Sequence, residues 1–205
     1  MAFTQFKSLG SVLLKYDLSL QETDFLPQNF SPKASLNELE KEIKLSLNEL
    51  AYDVSEAAIC ETLIFPVLRE NWKSFRDSFL LWSHPTLNVN EDLMGVPDYL
   101  FARKTKFGRA VVGRPICMAV EAKKDNFDEG WGQCAAEMVA AQKLNYEIAE
   151  IDVYGIVTNG EFWEFGKLQT DTFTKNKTIY SVFELQTLCS VIEHILTECK
   201  KQIKD

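Results

Sequence analysis

Glu121 and Lys123 stand one residue apart at the end of the apolar run Ile116-Cys117-Met118-Ala119-Val120. Side chains alternate across a strand, so these two would project from one face. Upstream, Gly95-Val96-Pro97-Asp98-Tyr99 reads as a turn that delivers Asp98 to the start of another strand, Tyr99-Leu100-Phe101-Ala102. Two carboxylates and an ammonium gathered in this way are suited to hold a divalent metal ion. They would also aim a nucleophilic water at a phosphodiester.

Such a group needs strands to carry it and helices to cover the strands. Ser35 and Glu38 form a capping-box pattern, and Leu36, Leu39, Ile43, Leu47 and Leu50 then recur at helical spacing. A second helix is expected from about Val54 to Trp72, with a kink or break at Pro66. Strands are expected at Phe79–Trp82, near Asp98–Arg103 and near Arg114–Lys123. The small residues Ala135, Ala136 and Ala140 mark a helix over about 128–148 that can approach a sheet closely. Val153–Val157 reads as a buried strand, Asn159-Gly160 as a hairpin turn, and Phe162–Phe165 as its return strand. A last helix opens at Ser181, where Glu184 completes a second capping box. The order helix, strand, strand, strand, helix, strand predicts an α/β protein with a small mixed central sheet flanked by helices. Residues 1–34 read as an N-terminal extension packing on a single domain over 35–205.

Composition bounds the function. A chain of 205 residues that is 46% apolar can bury a core without disulfides. No apolar stretch approaches a membrane span, and Met1–Gly10 lacks the core of a signal peptide. Five unpaired-looking cysteines with only two histidines argue for reduced, buried thiols and against zinc. A cytoplasmic protein without a membrane partner is expected. The net charge of −8 speaks against nucleic acid until its distribution is considered. Arg103, Lys104, Lys106, Arg109, Arg114, Lys123 and Lys124 face only Glu121 within 22 residues, leaving −14 for the remainder. This connection is expected to flank the carboxylates with positive charge and to bind phosphates, although a solvated hairpin tip explains it equally.

Asp98 after Pro97, followed by Glu121-Ala122-Lys123 at the end of an apolar strand, resembles the signature of the PD-(D/E)XK, or restriction-endonuclease-like, superfamily. That family's core has the order αβββαβ. In detail the chain resembles the N-terminal nuclease domain of type I restriction enzyme R subunits. The matching pieces are Glu56…Leu63-Ile64-Phe65-Pro66-Val67-Leu68, the Gly95–Tyr99 turn, the Glu-x-Lys strand, Gln133 on the next helix, and Thr158-Asn159-Gly160. They span residues 55–165.

The resemblance implies a metal-dependent nuclease that cleaves phosphodiesters, most readily of DNA, by direct attack of water. Asp98 and Glu121, with the carbonyl of Ala122, would hold Mg²⁺, for which Mn²⁺ can substitute, and Lys123 would stand beside the attacking water. Glu56 would support the metal site, although Asp53 and Glu56 also fit a helix cap. Glu61 is a weaker alternative. Gln133 would reach a phosphate or the carboxylates, but the family usually has an aromatic residue one turn later, where Glu137 and Met138 stand here. Trp131 and Trp163 could stack on bases, although aromatics at strand and helix positions are more often core, and His84 and His194 are expected to have no partner at catalytic spacing. The alternative from another class is a silent restriction-endonuclease-like domain that binds nucleic acid or protein. DNA against RNA, a homodimer and a protein partner all stay open at this point.

Overall fold

The computed structural model describes residues 2–27, 30 and 36–203. In chain order the elements are α1 (Leu9–Tyr16), β1 (Ser19–Glu22), α2 (Asn37–Glu49), α3 (Glu56–Ile59), a π turn (Cys60–Ile64) and α4 (Phe65–Trp72). Then come β2 (Phe79–Ser83), β3 (Leu87–Asn88), β4 (Met94–Gly95), β5 (Tyr99–Arg103), β6 (Ile116–Ala122) and α5 (Phe127–Tyr146). The chain ends with β7 (Val153–Thr158), β8 (Phe162–Gln169), β9 (Thr172–Lys175), β10 (Tyr180–Ser181) and α6 (Leu185–Gln202).

The main sheet runs β1-β9-β8-β7-β6-β5-β2, with β10 added to β8. It is mixed: β6 and β7 are parallel, whereas β2–β5, β5–β6 and β7–β8 are antiparallel. The parallel step from β6 to β7 is made by α5, as a crossover requires. Helix, three strands, helix, strand is therefore the order of the core, and the fold is α/β with helices on both sheet faces.

Alternation along β6 divides the core in two. Met118, Val120 and Ala122 pack with α2, α4 and α6, through residues such as Ile43, Val67, Leu68, Leu188 and Ile192. Ala119 points to the opposite face, where Trp131, Ala135, Met138 and Ala140 of α5 pack together with Val12 of α1. Trp131 and Trp163 are both fully enclosed, as their sequence context predicted. At the far end of β6, Asn145 of α5 accepts the Ile116 N–H at 2.8 Å and donates to the Ile116 carbonyl at 2.7 Å. Asn145→Ala would leave both backbone groups buried and unpaired. A loss of about 3 kcal/mol is expected, read as a lowered urea midpoint with an unchanged slope.

Several expectations need correction. The Ser35 cap lies outside the described residues, and Leu50, placed on the apolar face of the first helix, is 49% exposed at its C-terminus. Pro66 does not break the second helix. It lacks an N–H, and the backbone accommodates it with one wide turn in which the Phe65 N–H reaches back to the Cys60 carbonyl. The helix is capped by Ser55, whose Oγ accepts the Ala58 N–H at 3.1 Å, so Asp53 and Glu56 do not form its cap. At the other predicted box, Ser181 Oγ accepts the Phe183 N–H, but the first turn is 3₁₀ and α6 starts only at Leu185. All five cysteines are free and buried. Among the described residues, no helix is long and apolar enough to cross a membrane.

Candidate active site

The register of β5 on β6 pairs Tyr99 with Val120 and Leu100 with Ala119. Continued by one residue, it sets Asp98 level with Glu121. Both then share the face of Leu100 and Ala119, which is the face covered by α5. The backbone fixes Asp98 directly: its Oδ2 accepts the Ala122 N–H at 2.7 Å. Ala122, expected to offer a carbonyl, contributes its amide N–H here.

Lys123 extends the pattern. Its Nζ lies 3.3 Å from Glu121 Oε1 and 3.4 Å from Glu56 Oε1. Glu56 stands at the first turn of α3, on the opposite helical layer, and reaches the ammonium around the end of the sheet. Asp98, Glu121, Lys123 and Glu56 therefore come together. The Lys123 stem is seated against Gly130 of α5, where an added Cβ would fall 2.8 Å from Lys123 Cγ and 2.6 Å from Val157 Cγ1. Gly130→Ala would overpack this contact and should destabilise the fold by ~1–3 kcal/mol, checked by chemical denaturation.

Burial governs the electrostatics. Glu121 is only 7% exposed. Its carboxyl is pushed up to about 8 by burial and then by the neighbouring Asp98, against the pull of Lys123. Burial also raises Asp98, opposed by the Ala122 N–H, His84 and Lys123. Burial alone would depress the Lys123 ammonium, but Glu121 and Glu56 outweigh it and hold its pKa above the ordinary lysine value.

Two partners of this group were not anticipated. Glu137, one turn after Gln133 on α5, is 1% exposed and lies close enough to Glu121 for the two acids to titrate together. Burial and then Glu121 raise its carboxyl well above the ordinary range. Its Oε2 and the Oε1 of Gln133 are buried without a hydrogen-bond partner. The four-residue spacing from Gln133 was the available signal, since such residues share a helix face. His84, expected to lack a partner, has two: Nε2 lies 3.4 Å from Asp98 Oδ1, and Nδ1 lies 2.9 Å from Ser83 Oγ. The antiparallel pairing of Ser83 with Tyr99 brings them together, which requires knowing that β2 is the neighbour of β5.

The basic connection does not flank the carboxylates. It joins the far ends of β5 and β6, so Arg103, Lys104, Lys106, Arg109 and Arg114 lie roughly 15–20 Å along the strands from Asp98 and Glu121. A hairpin linker leaves from the ends opposite to those that carry the acids. Arg114 is engaged by Glu147 at 3.0 Å, and of the basic residues in this segment Lys123, paired with Glu121 and Glu56, and the solvent-exposed Lys124 lie at the acidic end.

Asp98 and Glu121 offer oxygen donors of the kind a hard divalent cation takes. Two buried carboxyls (Glu121 and Glu137) and the partly buried Asp98 lie near a single ammonium, and ionising all three together is costly unless a cation neutralises them. Among the described residues, no three His, Cys, Asp or Glu side chains converge as a complete metal cluster. An ion here would rest on the Asp98 and Glu121 carboxylates, the Ala122 carbonyl and retained waters, which is how Mg²⁺ is commonly bound.

The chain matches no protein-family model and no curated protein. Among solved structures it is similar to the type IIG restriction endonuclease BpuSI, at 13% identity and a TM-score of 0.43. The likeness covers 74% of this chain and 17% of that one, so the chain spans less than a fifth of the enzyme's length.

Proposed function

We propose that the chain is a Mg²⁺-dependent nuclease of the PD-(D/E)XK type, acting on nucleic-acid phosphodiesters and most readily on DNA. The observation that carries this reading is the convergence of Asp98, Glu121 and Lys123 on one face at the end of two paired central strands. The finer likeness to the nuclease domain of type I restriction enzyme R subunits belongs to the same reading. So does a single domain over residues 35–205. The segment before it is tied on by α1 against α5 and by β1 beside β9.

In this reading the metal ion supplies a polarised water and charge neutralisation at the phosphate. The remaining roles fall to the chain itself. The Ala122 N–H fixes Asp98 in one orientation, and β6 holds Glu121 where few waters reach it. Lys123, clamped between Glu121 and Glu56, presents an ammonium to the attacking water and to charge developing on the phosphoryl oxygens. Glu56 is a positioning residue, because it acts through Lys123.

A non-catalytic domain that binds nucleic acid or protein is the second reading. The distance between the basic connection and the carboxylates favours it, since the charge best suited to phosphates is not at the acidic end. The deciding experiment incubates purified protein with supercoiled plasmid, single-stranded DNA and RNA in Mg²⁺ or Mn²⁺. Metal-dependent cleavage supports the nuclease. Metal binding without cleavage of any of the three supports the binding module.

A further inference from the structure

A cavity of about 330 Å³ opens near the carboxylates, lined by Cys60, Glu61, Phe65, His84 and Tyr99 among others. It lies on the α4 side of the sheet, on the face opposite Asp98 and Glu121, and meets the site around the end of the sheet, where Ala57 follows Glu56 and His84 reaches Asp98. His84 belongs to both, since its ring lines the cavity while Nε2 lies 3.4 Å from Asp98.

Phe65, His84 and Tyr99 give the lining three rings. The Tyr99 hydroxyl is already donated to the Cys60 carbonyl at 3.1 Å. Phe65 lies 6.1 Å from the Tyr99 ring at 22°, and His84 lies 5.9 Å from it at 59°. His84 is held there at a backbone cost. Its φ of 51° is left-handed, which a non-glycine residue adopts only under constraint, and its N–H is tied to the Asp98 carbonyl at 2.8 Å.

The chemistry of the lining selects the ligand. No lysine or arginine lines the cavity, and Glu61 stands in its wall, so a phosphate is disfavoured there. A flat ring system carrying amino donors suits aromatic walls and an acid. The volume is at the lower end of small-molecule sites, enough for one such ring system and too small for a stacked duplex. We propose that the cavity receives one unpaired nucleobase of the strand whose phosphodiester lies at Asp98 and Glu121. The substrate is then single-stranded or locally unpaired. This inference rests on the nuclease reading and narrows it.

The test is equilibrium binding of a short labelled DNA strand to the full chain, with Ca²⁺ replacing Mg²⁺. The same strand is also supplied paired with its complement, and with an abasic residue at each position in turn. The free strand should bind more tightly than the duplex, and an abasic residue at one position should cost about five- to a hundredfold, the range of one base–aromatic stack. His84→Asn tolerates the left-handed backbone while removing the ring, and should weaken binding of the intact strand but not of that abasic strand. Phe65→Leu should act in the same direction, with thermal midpoints reporting that both variants fold. Equal affinity for every abasic strand and for His84→Asn, with metal-dependent cleavage still present, overturns the base site and leaves the nuclease standing. Competition by free deoxyadenosine monophosphate as strong as by the whole strand overturns the strand-bound form in favour of a free nucleotide. No binding and no cleavage of any nucleic acid removes the reading beneath both.

Discussion

Lys123→Ala is expected to keep Mn²⁺ binding while losing roughly 10²–10³ in cleavage rate, the usual effect of deleting one preorganised electrostatic contact. Asp98→Ala is expected to lose both. The difference follows from the geometry. Asp98 is the carboxylate fixed by the Ala122 N–H, so removing it takes away a donor and leaves that amide unpaired. Lys123 contributes charge but no donor to a cation, and Asp98 and Glu121 survive its removal. Calorimetric titration with Mn²⁺ of wild type and both variants, beside one cleavage assay, separates the two roles. Cleavage at the wild-type rate by Lys123→Ala would place the chemistry elsewhere. Glu56→Gln should fall between wild type and Lys123→Ala, because the ammonium keeps one of its two anchors.

In a chelating buffer, stability should fall as pH rises from about 5 to about 8. The Glu121 carboxyl is raised from an ordinary 4.5 to about 8, so the folded protein holds a proton that the unfolded chain releases. The stabilisation by the neutral carboxyl is complete below about 4.5 and is lost as pH climbs through 8. Glu137 shifts in the same direction for the same reason, burial first and the neighbouring Glu121 second. The two shifts act in the same direction, so both acids contribute to the loss at alkaline pH. Glu137→Gln removes one of the two acids while keeping its shape, and should flatten the profile and raise the midpoint at pH 8. Mn²⁺ should raise the wild-type midpoint most at the alkaline end, since it binds the ionised form. Thermal unfolding across this pH range, with chelator and with Mn²⁺, measures all three effects. A wild-type midpoint that rises with pH in chelator would contradict the burial of these acids.

The central strands, the long α5 and the last helix were legible because their patterns are strong. Ile116–Ala122 is apolar except for its single acid, and 127–146 combines a cap at Asn126 with small residues on one side. The edge elements were not legible. Every residue of β1 is exposed, so no alternation marks it, and β3, β4 and β10 have two residues each. The same division holds at the site. Asp98, Glu121 and Lys123 could be grouped from alternation and chain order, which are local properties. His84 could not, because it depends on which strand borders β5; Glu137 shares a helix face with Gln133, but only the packing of α5 sets that face over Glu121. The error over the basic connection has the same origin. Proximity in sequence to Asp98 and Glu121 hid the fact that a hairpin's linker leaves from the ends opposite its outer termini.

The wide turn at Cys60–Ile64 has a consequence for how this site tolerates change in chain length. A π turn is an α-helix carrying one additional residue, and each residue of helix advances the phase by ~100°. The stretch Phe65–Trp72 sends Val67 and Leu68 into the core, and the stretch Glu56–Ile59 aims Glu56 at Lys123. The wide turn absorbs the extra residue locally, so the two stretches keep nearly the relative phase of one regular helix. Substitutions in the turn leave that phasing intact. Deleting one of its five residues would restore regular winding with both stretches near their present phase, whereas inserting a further residue in regular winding would rotate Glu56 about a quarter of the way around the helix, away from the ammonium it anchors.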